Sequence, residues 1–140
     1  MPISCADAIA RLTSLHDGDE GLIEVVACGK EAIPPLVDLL FARERSGIYE
    51  PRRRAVEALA ALGAYEPLRD FLALRREIKD PVELTGEDAV INAAAHALAR
   101  VHDERDYPLL LDLLRWRLLP GVIEGVGAFK RPEAIRLLID

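Results

Sequence analysis

Gly29–Leu40 reads G-K-E-A-I-P-P-L-V-D-L-L, and variants of this stretch recur three more times along the chain. Gly63–Leu72 reads G-A-Y-E-P-L-R-D-F-L. Asp103–Leu114 reads D-E-R-D-Y-P-L-L-L-D-L-L, and Lys130–Asp140 reads K-R-P-E-A-I-R-L-L-I-D. The anchoring aspartates Asp38, Asp70, Asp112 and Asp140 are 32, 42 and 28 residues apart. Self-similarity at such a period predicts stacked helical units rather than one irregular core.

Each unit reads as two helices. The first opens on proline (Pro34 and Pro35, Pro67, Pro108, Pro132), which is tolerated where the first-turn N–H groups lack partners. Apolar residues then recur at helical spacing, as in Ile33, Leu36 and Leu40 or Leu110, Leu113 and Leu114. The second helices are rich in small residues: Arg52–Leu62 stopped by Gly63, Val90–Val101, and Pro120–Phe129. Ser4…Asp7 and Thr85…Asp88 read as capping boxes. The first 28 residues read as a degenerate unit with helices near Ala6–Leu15 and Asp19–Cys28. No strand-type alternation stands out. The expectation is an all-α domain over residues 1–140, with units near 4–28, 31–62, 65–101 and 104–129 and a partial one at 131–140. Two long loops, Arg43–Glu50 and Arg75–Glu87, should share one edge.

Composition narrows the function. The chain of 140 residues is 51% apolar and 30% charged, with a formal net charge of −6. Such a chain folds, and its acidity argues against general nucleic-acid binding. The charge is uneven: −5 over residues 1–40, +3 over 41–79 and −4 over 80–140. No signal peptide or membrane-spanning run is visible, which points to the cytoplasm. Cys5 and Cys28 could pair, but the expectation is two small apolar residues in a reducing compartment.

The second helices carry a family resemblance. Pro51–Gly63 resembles the pattern V-R-x-A-A-x-x-A-L-G-x-L-G of HEAT repeats, especially the short repeats of phycobilisome-lyase-like proteins. Arg52 stands at the arginine position, followed by Ala58-Leu59 and Leu62-Gly63. Val90–His102 matches at Val90, Ala93, Ala94, Ala97, Leu98 and Val101, with Ile91 in place of the arginine. Leu118–Lys130 matches more loosely. The resemblance covers roughly residues 29–140. It implies an α-superhelix, a solenoid whose second helices line a concave face. Fold alone does not fix activity.

Catalytic and metal signatures are weak. His16-Asp17-Gly18-Asp19-Glu20-Gly21 lacks the glycine position and distal glutamate of a calcium loop and reads as a turn. His102-Asp103 has no second histidine at ligand spacing. Gly121, Gly125 and Gly127 have the wrong order for a phosphate loop and read as close helix packing. Ser4, Ser14 and Ser46 have no nucleophile signature. Trp116 reads as a packing aromatic. No cofactor or metal is expected.

The candidate site is a polar row. Asp88, Asn92, His96 and Arg100 fall four residues apart on one side of a helix whose other side is apolar. In the repeat alignment Asn92 corresponds to Arg53, and His96 to Glu57 and Glu124. With Tyr49, in a loop before a basic helix, the predicted contact residues are Tyr49, Arg53, Glu57, Asn92, His96, Arg100 and Glu124. The leading expectation is a non-catalytic scaffold or adaptor that binds another protein, with an inhibitor-like mask for a basic partner as one version. The resemblance allows an alternative, a bilin-lyase-like enzyme or subunit that holds a tetrapyrrole through Arg53, Arg54 and Arg100. A DNA-glycosylase-like role is disfavoured because no continuous basic row is present. At the far end, Ile135, Leu138 and Ile139 lack a following helix. The expectation there is a longer solenoid or self-association.

Overall fold

The computed structural model describes residues 4–14, 18–133 and 136. Among these the chain is all-helical, with eight α-helices: α1 (Cys5–Leu12), α2 (Gly18–Cys28), α3 (Ile33–Phe41), α4 (Glu50–Ala61), α5 (Glu66–Leu74), α6 (Pro81–Val101), α7 (Tyr107–Trp116) and α8 (Pro120–Gly127). Short 3-10 turns at Gly29–Ala32 and Glu104–Asp106 lead into α3 and α7. The expectations on His16, Asp17, Ile135, Leu138, Ile139 and Asp140 lie outside the described residues.

The helices pair in chain order, α1 on α2, α3 on α4, α5 on α6 and α7 on α8. The even-numbered helices also contact one another in succession, and α3, α5 and α7 do likewise. The core between them is leucine-rich: Leu12, Leu36, Leu40, Leu59, Leu68, Leu98 and Leu110 have no exposed surface. Each such side chain contributes about 1.5–3 kcal/mol of burial free energy. Ala55, Ala58, Ala94 and Ala95 are also fully buried, which lets α4 and α6 approach closely.

Proline lies in the first turns of α3, α5, α7 and α8 as the sequence predicts, at Pro34, Pro67, Pro108 and Pro120, and in those of α4 and α6 as well, at Pro51 and Pro81. The even-numbered helices are each followed by a residue of positive φ: Gly29 at 73°, Gly63 at 73°, His102 at 57° and Lys130 at 54°. At Gly63 the turn closes with Ala64 N–H donating to the Leu59 carbonyl at 2.8 Å. The left-handed residue thereby lets the chain reverse while the last carbonyls keep donors.

The long loop expected over Arg75–Glu87 is not there. α6 begins at Pro81, so the connection is short and Thr85…Asp88 is not a capping box. Asp80 is the cap: its Oδ1 accepts from Val82 and Glu83 N–H at 2.9 and 3.0 Å. Thr85 lies inside the helix and donates to the Pro81 carbonyl. A buried Gly86 permits this extension. A Cβ there would sit 2.7 Å from the Gly47 carbonyl oxygen, so the α3–α4 loop can lie directly on α6.

The cysteines are not free. Cys5 at the start of α1 and Cys28 at the end of α2 form a disulfide with Cα atoms 5.9 Å apart. The chain order α1–turn–α2 brings the outer ends of the hairpin together, which spacing alone did not reveal. No helix among the described residues is long and apolar enough to cross a membrane.

Candidate functional site

The helical repeat of 100° per residue separates three consecutive arginines on α4. Arg52 points inward. Its Nε and Nη2 donate to the Leu40 carbonyl at 3.1 and 2.8 Å, and its Nη1 lies 2.8 Å from Glu87 Oε1. Arg76 completes the cluster, with paired bonds to Glu87 at 2.8 and 2.9 Å and a third to the Phe41 carbonyl at 2.6 Å. The Phe71 ring lies under both guanidiniums, at 5.6 and 5.5 Å from its centroid. Burial pushes the Arg52 guanidinium below its ordinary pKa, and Glu87 opposes that. Arg43 reaches over the same region to the buried Glu83, and its hydrogen bonds hold the Glu83 carboxyl below the usual range. This cluster ends α3 by supplying donors to its last carbonyls.

Arg54 turns the other way. It is buried and donates to the carbonyls of Leu12 at 3.1 Å and Ser14 at 2.9 Å. Gly18 leaves the space its guanidinium occupies. Arg54 therefore closes the α1–α2 connection and is not available to hold a ligand carboxylate, which corrects the expectation placed on it.

Arg53 alone of the three faces outward, into a groove of about 670 Å³ between α4 and α6. Four of the predicted contact residues line this groove: Arg53, Glu57, His96 and Arg100. The floor is apolar and built mainly from small residues, including Val56, Ala60, Ala93 and Ala97, with Tyr65 and Val101 at one end. Sequence reasoning missed Tyr65 and the floor. The alanines had been read only as helix-packing residues, although those spaced three and four apart also leave room for a trough.

The remaining three predicted residues lie outside the groove lining. Asn92 Oδ1 accepts from Gly121 N–H at 2.8 Å and so fastens α8 to α6. Tyr49 immediately precedes α4 and packs against the core. Glu124 approaches from α8, its Oε1 lying 3.3 Å from His96 Nδ1.

The charges of the groove differ in how they are matched. Arg53 donates to Glu50 at 3.0 Å and to Glu57 at 2.5 Å. Burial opposes its charge, but these carboxylates hold its pKa above the ordinary value. Arg100 makes no hydrogen bond or ion pair with any described residue and is exposed. The Tyr65 hydroxyl likewise has no partner among them. Both line the groove, Tyr65 shortly after the C-terminal end of α4 and Arg100 in the last turn of α6. No group of histidine, cysteine and carboxylate side chains among the described residues is arranged to hold a metal ion. No protein-family model, curated protein or solved structure matches this chain.

Proposed function

We propose that this protein is a non-catalytic binding scaffold, a HEAT-like solenoid whose even-numbered helices line the inner face, and that the α4–α6 groove receives another protein. The observation that carries the reading is the groove itself. It gathers Arg53, Glu57, His96 and Arg100 over an apolar floor, while the neighbouring arginines are committed to main-chain carbonyls and buried carboxylates. Polar groups on an open face contribute little to stability and are free to recognise a ligand.

The test is a comparative capture. Wild-type protein and the double variant Arg53→Glu, Arg100→Glu are immobilised and exposed to the same cell extract. The expected result is a partner retained by wild type and lost by the variant, with the two proteins melting alike. A partner held equally by both would place the binding surface elsewhere.

A tetrapyrrole-handling role draws on the same groove, since Arg100 beside alanines suits a propionate on an apolar ring. It ranks second because Arg54, one of its three expected cations, is buried. A visible absorbance shift on adding a bilin, abolished by Arg100→Gln, would promote it.

A further inference from the structure

The groove is unbalanced at one end, and the imbalance specifies an occupant. The carboxylate in its lining is taken, Glu57 by Arg53, while Glu124 at the margin lies 3.3 Å from His96, an ion pair when that imidazole is protonated. Arg53 is taken by Glu50 and Glu57. What is left unmatched among the described residues is a guanidinium and a phenolic hydroxyl, Arg100 in the last turn of α6 and Tyr65 shortly after α4. Both can donate hydrogen bonds to an anion, and a guanidinium matches a carboxylate through two parallel bonds. Beside them lie Ala97, Val101, Ala60 and Ala61, an apolar wall that reduces water screening of such a pair. The α4 edge from Arg53 to Ala61 rises about 12 Å, room for roughly four extended residues or two turns of a ligand helix.

We infer that the groove takes an acidic peptide segment, with one Asp or Glu carboxylate bound by Arg100 and Tyr65 and small apolar residues lying along the alanine floor. The inference rests on the reading of the groove as a protein-binding surface and adds the chemistry and orientation of what binds. The acidic anchor sits at the Arg100 end and not at the Arg53 end, where a second carboxylate would meet Glu50 and Glu57.

The experiment is a selection of random twelve-residue linear peptides, displayed on phage, against the full chain with its disulfide intact. Selected peptides are synthesised and their affinities measured calorimetrically on wild type, Arg100→Gln, Tyr65→Phe and the groove-filling variant Ala97→Arg. Melting curves establish that each variant is folded. The expected binders carry an Asp or Glu whose replacement by Asn or Gln weakens binding to wild type about tenfold or more, but changes nothing on Arg100→Gln. Tyr65→Phe should weaken the same peptides by about threefold, and Ala97→Arg should abolish binding. Peptides blocked by Ala97→Arg that need no carboxylate, or whose carboxylate is indifferent to Arg100→Gln, would overturn the inference and leave the groove a binding surface. Failure to select any peptide, or binders unaffected by Ala97→Arg, would overturn both.

Discussion

Arg52 and Arg54, buried against two different neighbours of α4, and Arg53 and Arg100, on the groove between α4 and α6, are the same chemical group in two kinds of use. The inward pair is 4% and 8% exposed and bonds main-chain oxygens that would otherwise end α3 and the α1–α2 connection without donors. The outward pair lies on the groove, with Arg53 held by carboxylates and Arg100 held by no described residue. Much of the positive middle of the sequence is therefore internal fastening, although Arg45, Arg75 and Lys79 within it are exposed. On the groove itself, the charge without a partner among the described residues lies outside that segment, at Arg100 on α6.

Removing Glu87 should break this contrast most severely. Glu87→Ala leaves the buried Arg52 without its counter-charge, and losing one member of a buried pair costs about 3–5 kcal/mol. Urea denaturation should show that loss. A cost under about 1 kcal/mol would mean that the inward arginines are not fastenings.

A smaller effect is expected at Arg54. Arg54→Met keeps much of the buried aliphatic volume but deprives the Leu12 and Ser14 carbonyls of a donor. The expected cost is about 1–3 kcal/mol, with the N-terminal hairpin losing protection first in hydrogen exchange.

The smallest change belongs to Arg100. Arg100→Gln should alter stability by under about 0.5 kcal/mol, the usual range for an exposed side chain. Equal costs for Arg100→Gln and Arg54→Met would erase the distinction between the two faces.

How far the sequence carried this picture depends on the kind of signal. Proline in the first turn and glycine after the last are local effects with one cause each, so α3, α4, α5, α7 and α8 were legible. The start of α6 was not. Two caps competed there, Asp80-Pro81 and Thr85…Asp88, and only the second was taken. The deciding factor is remote: Gly47 must lie against Gly86 before the extra turns of α6 have anything to pack on. The polar row was half legible, for a related reason. Alignment between repeats groups His96 with Glu57, and both line the groove, but it cannot show that Asn92 is spent on the Gly121 N–H. A run of three arginines likewise reads as one basic patch until the helical rotation and the surrounding carbonyls separate them.

The Cys5–Cys28 bond changes how the molecule comes apart. Among the described residues, α1 and α2 meet the rest of the chain mainly through α4 and the turn before α3. A hairpin held by so few neighbours would ordinarily open ahead of the core. Here the bond spans 23 residues of sequence and joins the outer ends of both helices. Closing a loop of that size removes about 3 kcal/mol of denatured-state entropy. The first hairpin then cannot peel away as two independent helices. Adding a reducing agent should let them open separately, ahead of the core.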